Sequence, residues 1–262
     1  MSRKKEILWS PHGDSTFLVQ AADLRLWEWK QSSSGEDDSI LSSVAHVTDG
    51  LALMKCTTWS SDPAHPHLVA VGLNNGRVQL LDLLARDGND VRYEFAPRQA
   101  RSCNTVSFNP VFHNQLLAGM DKGRNDPCLL IWDANVHTHN LPTSRSGRAF
   151  SNSAFHAGPP RAQPPPVAQE PLRAMLAGDP VTSATWIPSS PWLAAVAAGG
   201  RQIRLLDTRS DAAALGVSAT KAINGLQADP MGETRILSYS EDGIIKVWDI
   251  RKLSAASGSV RK

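Results

Sequence analysis

Apolar and polar positions along this chain recur in one order, repeated five times. A short β-type run ends in a turn at proline. A second, almost wholly apolar run follows, then a Gly-containing turn, then a third run closing on Trp-Asp or a relative. The first copy runs from Ile7-Leu8-Trp9-Ser10-Pro11 through Phe17-Leu18-Val19 to Trp27-Glu28-Trp29. The second opens at Met54-Lys55-Cys56, turns at Asp62-Pro63, and continues through Leu68–Gly72 and Asn75-Gly76 to Leu81-Asp82. The third passes from Val106-Ser107-Phe108-Asn109-Pro110 through Leu116-Leu117-Ala118-Gly119 to Trp132-Asp133. The fourth runs from Val181 and Trp186 through Leu193–Val196 to Leu206-Asp207, and the fifth from Asp229-Pro230 through Ile236–Tyr239 and Asp242-Gly243 to Trp248-Asp249. Pro63 and Asp82, Pro188 and Asp207, and Pro230 and Asp249 are each 19 positions apart, while the first and third copies give 17 from Pro11 to Glu28 and 23 from Pro110 to Asp133.

Each piece has a physical reason. Proline lacks an N–H and ends the first strand. Asn-Gly and Asp-Gly supply the positive φ of a tight hairpin. A middle run that is apolar on both sides predicts a strand covered on both faces, and a terminal Trp offers a wide ring to pack between neighbouring sheets. A β-sandwich would also give short strands at regular spacing, but it does not require Trp-Asp at a fixed offset from a turn proline. The pattern predicts an all-β WD-repeat β-propeller with about five blades. Five copies, followed by a Ser-, Ala- and Gly-rich tail, predict an incomplete or open ring and favour a truncated product of a longer protein. The expected organisation is blades one to three over 1–133, with a loop at 31–53, a Pro/Ser-rich disordered insert at 134–180, blades four and five over 181–252, and a flexible tail at 253–262.

Composition narrows the function. A net charge of +2 gives no global field for nucleic acid or an anionic membrane. Apolar content of 41% is too low for a membrane protein, and the longest apolar stretch, Trp192–Ala198, is too short to insert. Cys56, Cys103 and Cys128 are widely spaced and odd in number, which fits a reduced, cytoplasmic setting. The N-terminus lacks the apolar core of a signal peptide, and Arg3-Lys4-Lys5 reads as a solvated end.

No catalytic motif is present, so the expectation is a non-enzyme without cofactor or metal. His65 and His67, and His137 and His139, are pairs in loops, short of the three or four ligands a metal needs. Asp37-Asp38 and Glu241-Asp242 are adjacent carboxylates, a poor arrangement for acid–base work. Pro164-Pro165-Pro166 lacks a clean PxxP register. Arg98, Arg101, Lys122 and Arg124 are candidates for a basic interaction patch, beside the plainer reading of a solvated face. Leu206-Asp207-Thr208-Arg209 and Trp248-Asp249-Ile250-Arg251 are two D-x-R endings, and they resemble the motif by which WD-repeat substrate receptors dock onto a cullin-ligase adaptor. Arg209 and Arg251 are therefore candidate interaction residues.

The stretch Glu94–Thr105, with Arg101-Ser102-Cys103-Asn104-Thr105, followed by Phe108-Asn109-Pro110 and Ala118-Gly119-Met120-Asp121-Lys122, resembles the Mio (missing oocyte, or meiosis regulator) family. Met54-Lys55-Cys56, Leu68–Gly72, Asn75-Gly76-Arg77-Val78 and Trp248–Lys252 agree with it, and the resemblance covers about 1–133 and 180–252. It implies a component of the second GATOR subcomplex, which resides at the lysosomal surface and promotes amino-acid signalling to TOR complex one. Other WD-repeat subunits of that complex are the implied partners. Family members are longer, with an α-solenoid and a zinc-binding end for which this chain has no counterpart.

Overall fold

Each copy of the pattern folds into its own small sheet, in chain order. The computed structural model describes residues 6–31, 39–48, 50–85, 91–135, 167–168, 170–210, 215–219 and 221–256. Arg3-Lys4-Lys5, Asp37-Asp38, His137, His139, Pro164-Pro165-Pro166 and the last six residues lie outside them. Blade one is β1 (Glu6–Trp9), β2 (Thr16–Gln20), β3 (Leu24–Gln31) and β4 (Ser39–Val47). Blade two is β5 (Met54–Trp59), β6 (Leu68–Leu73), β7 (Val78–Asp82) and β8 (Val91–Phe95). Blade three begins with β9 (Cys103–Phe108), β10 (Gln115–Met120) and β11 (Pro127–Asp133). Two short strands follow, β12 (Val167–Ala168) and β13 (Arg173–Ala177). Blade four is β14 (Val181–Ile187), β15 (Ser190–Ala198), β16 (Gln202–Asp207) and β17 (Leu215–Ser218). Blade five is β18 (Ile223–Ala228), β19 (Arg235–Ser240) and β20 (Ile245–Asp249), followed by helix α1 (Ile250–Ala256).

Within each blade successive strands pair antiparallel. Two strands fall where the sequence suggested loop or insert. Ser39–Val47 pairs along β3, and Arg173–Ala177 pairs with β11 to give blade three its fourth strand. Outer strands carry mixed burial, so they lack the apolar signature of the inner ones. β12 adds to blade two in parallel beside β8.

The apolar middle runs are explained by strand alternation. In β6, Val69 and Val71 join Leu18, Leu24 and Leu26 of blade one, while Ala70 faces Val106, Leu116 and Trp132 of blade three. In β15, Ala194 and Val196 join Leu117, Leu129 and Ile131 of blade three, and Ala195 and Ala197 join Ile223, Leu226 and Ile236 of blade five. Burying each Val, Leu or Ile contributes about 1.5–3 kcal/mol. Trp132, the repeat tryptophan of blade three, stacks on Phe95 of blade two with ring centroids 5.2 Å apart.

Five blades thus share four inter-blade cores, and no core among the described residues joins blade five to blade one. The outward sheet faces are apolar and exposed. Blade one presents Ile7 and Trp9; blade five presents Leu237, Tyr239, Ile245 and Val247. Among the described residues the arc is open between blades five and one, as five copies predict. α1 packs against β17 and β20, with Leu253 buried.

Candidate functional site

The propeller arc has two loop faces. One carries the prolines that follow the inner strands and the Trp-Asp ends of the repeats. We call it the proline face. The other carries the glycine hairpins and the linkers between blades, and is the glycine face.

On the proline face the repeat acid has one structural role. Asp82, Asp133, Asp207 and Asp249 each accept the backbone N–H two residues on, at 2.9–3.2 Å, closing an Asx turn. Side chains of this face also tie neighbouring blades together. His12 Nε2 lies 3.0 Å from the Ser60 carbonyl, and Ser61 Oγ is 3.2 Å from His113 Nδ1. Asn109, fully buried, donates to the Pro191 carbonyl at 2.8 Å, and Ser189 donates to the Glu233 carbonyl at 2.6 Å. These four contacts link blades one to five in sequence.

The two D-x-R arginines sit on this face. Arg209 grips Asp207 through Nε and Nη2 at 3.0 and 2.8 Å, and Arg251 grips Asp249 at 3.0 and 2.6 Å. These side-chain forks hold Asp207 and Asp249 down to a pKa of about 2, from 3.8. Arg209 also stands over Trp192 at 5.5 Å, and Trp192 lies 4.4 Å from Phe112. Both guanidiniums are exposed, but each is already neutralised by its own strand.

The glycine face has a device of its own. Each inner strand of blades two to five carries a register shift at its first turn, and the residues left unpaired are Lys55, Asn104, Thr182 and Asn224. The side chains of the first three reach to the next blade. Lys55 Nζ donates to Ser102 Oγ and Asn104 Oδ1, both at 2.7 Å. Asn104 Nδ2 donates to the Val181 carbonyl at 3.0 Å, and Thr182 Oγ1 to the Ile223 carbonyl at 2.9 Å. Asn224, at the open end, is exposed and has no hydrogen-bond partner among the described residues.

The basic residues named from sequence divide here. Arg101 turns inward with its side chain 7% exposed. It bonds the Pro127 carbonyl and lies 3.6 Å from Asp126, so it braces the linker against the hairpin and leaves the surface patch. The backbone of this linker presses on Gly76 (φ +87°), where the Arg101 carbonyl occupies the space a Cβ would need. Arg98, Lys122 and Arg124 are exposed and unpaired among the described residues, on adjacent loops of this face. His65 is exposed and His67 half-buried, and among the described residues no three potential ligands converge on a metal position. Asp242 closes a turn onto Ile244.

Sequence reasoning missed Lys55, Asn104, Thr182 and Asn109 as joint residues. The available signal was their recurrence just after the start, or just after the end, of each inner strand.

Residues 33–259 match the family described as MIOS, WD40 repeat. The chain is similar to the GATOR2 complex protein MIOS of Dictyostelium discoideum, 31% identical over 80% of this chain and 21% of the relative. It is similar to the protein of that name from Danio rerio, 31% identical over 95% of this chain and 29% of the relative. The GATOR2 complex protein Mio of Drosophila melanogaster is 26% identical over 94% of this chain and 25% of its own length. The chain therefore spans under a third of the length of these relatives.

Proposed function

This chain belongs to the MIOS WD40-repeat family, and on that premise we propose that it is a non-catalytic WD-repeat scaffold of the GATOR2 complex. The family match, running from the outer strand of blade one past α1, is the observation that carries this reading. Its partners are other WD-repeat subunits of that complex. Its role is to promote amino-acid signalling to TOR complex one at the lysosomal surface. Attachment there is peripheral and through partners; no described helix is long and apolar enough to cross a membrane.

A second reading, docking of a cullin-ligase adaptor through Arg209 and Arg251, draws on the exposure of both guanidiniums. The carboxylate forks oppose it, since docking has to compete with both.

Affinity purification of the tagged chain from cells, with and without amino acids, tests the proposal by mass spectrometry. Recovery of GATOR2 WD-repeat subunits is the expected result. Recovery of a cullin adaptor, lost in an R209A/R251A variant, would replace it with the second reading. Recovery of chaperones alone would refute docking by this part of the protein.

A further inference from the structure

We propose that the glycine face of blades two to four docks an acidic segment of a protein partner, with Lys55 as the anchor beneath a ring of unpaired cations. The inference does not depend on which assembly the chain joins.

Lys55 is the starting observation. At the equivalent bulge positions of blades three to five the chain uses the neutral residues Asn104, Thr182 and Asn224. The joint needs a hydrogen-bond donor; it does not need a charge. Lys55 supplies the donor to Ser102 and Asn104 and also brings a half-buried ammonium with no carboxylate beside it among the described residues. An ammonium has three N–H donors. Two are spent, and the third has no acceptor among the described residues. A partly desolvated charge without a counterion is unfavourable, and an arriving carboxylate relieves it.

The surroundings repeat the sign. Ser102 Oγ accepts from Lys55 and donates to Asn74 Oδ1 at 3.0 Å, which orients the Asn74 amide and leaves its N–H₂ as a further donor at the same edge. Ser102 also ties this edge to blade three, where its carbonyl accepts from Asp121 N at 2.8 Å. Arg98 stands on the linker there, and Lys122 and Arg124 flank Gly123 on the hairpin that Arg101 braces. Arg201 lies on the blade-four hairpin, whose Gly200 carbonyl holds Ile223 N at 2.8 Å and so draws in the linker bearing Lys221. All five cations are exposed and unpaired among the described residues. The other basic residues near these loops are already matched: Arg77 by Glu94, Arg101 by Asp126 and Arg204 by Asp179. The exposed carboxylates without an ion pair among the described residues near these loops are Asp121, whose Oδ1 accepts the Lys122 N–H at 2.8 Å, and Glu170, two residues past the β12 position that pairs with Phe95; Glu241 and Asp242 reverse the sign only at blade five.

Charge selects an anion, and the loops select its class. No Phe, Tyr or Trp lies in the described linkers and hairpins of this face, so unstacked bases have no platform. Spaced carboxylates on an extended peptide match fixed cations carried by three successive blades.

Fluorescence anisotropy on the whole chain tests this, with a fluorescein-labelled glutamate-rich peptide, a Gly/Ser peptide and an oligothymidylate as ligands. The glutamate peptide should bind, more weakly as salt rises. K55Q and, separately, K122E/R124E should each weaken it at least about tenfold, from the loss of one or two charge-assisted bonds. K252E, on the far side of the arc, should leave it unchanged. Because K55Q touches a joint, R98E/R201E serves as a second variant away from it. Equal binding by both surface double variants would overturn the proposal. So would equal weakening by K252E, or preference for the oligothymidylate over the peptide.

Discussion

Cys56 of blade two and Cys103 of blade three meet thiol to thiol over the bare backbone of Gly72. A Cβ at that glycine would stand 2.5 Å from one sulfur and 2.7 Å from the other. The contact and complete burial hold the Cys103 thiol well above its ordinary pKa. Glycine here provides close approach, since the chain needs room for two sulfurs from neighbouring inner strands. Gly72→Ala should therefore destabilise the fold by about 1–3 kcal/mol, the usual range for overpacking, read as a lower urea midpoint. A thiol reagent should label none of the three buried cysteines in the native protein and all three in guanidinium. Rapid native labelling would show that this joint opens.

The bulge residues give a paired prediction. Asn104→Ala removes the bond to the Val181 carbonyl and one acceptor of Lys55, and should cost about 1–3 kcal/mol. Asn224→Ala, at the same position in blade five but without a hydrogen-bond partner among the described residues, should stay within about 0.5 kcal/mol of the parent chain. Equal effects in urea unfolding would show that the bulge does not act through the inter-blade bond.

The D-x-R pairs predict a pH response. Asp207 and Asp249 titrate at about 2 in the folded chain against 3.8 for the free side chain. A depressed folded pKa gives stabilisation that is whole above 3.8 and is lost as pH falls toward about 2. Both pairs are solvent-screened, so the loss of stability should be small. NMR titration of the two carboxyl carbons should show the low midpoints, with R209Q and R251Q returning each toward 3.8. Midpoints that stay near 2 in those variants would assign the shift to the backbone N–H of the turn instead.

The open edge predicts an asymmetry between two similar residues. Ile245→Thr falls on the exposed outward face of blade five, where Ile245 is 65% accessible, and should change stability by less than about 0.5 kcal/mol while reducing self-association in light scattering. Val196→Thr places a hydroxyl in the sealed core between blades three and four and should cost about 1–3 kcal/mol. A stability loss at Ile245 would mean that this face is covered in solution.

The sequence by itself determined the blades. The proline stop, the apolar middle run and the Trp-Asp end are local demands of strand termination, two-sided burial and turn closure, so they recur in the same order at similar spacing and are legible without a fold. It also determined the family, through the segment Arg101-Ser102-Cys103-Asn104-Thr105, whose residues prove to be brace, bridge and close contact at one inter-blade joint. The tertiary structure decided the rest. Whether an arginine is a surface charge or a brace depends on what the neighbouring blade places beside it. Arg101 and Arg98 are three residues apart, yet one is buried on Asp126 and the other is free. Outer strands such as Arg173–Ala177 escaped notice because one half-exposed edge imposes little pattern. Lys55 differs in charge from Asn104 and Thr182 at the equivalent bulges, a relationship between blades that no window along a single strand contains.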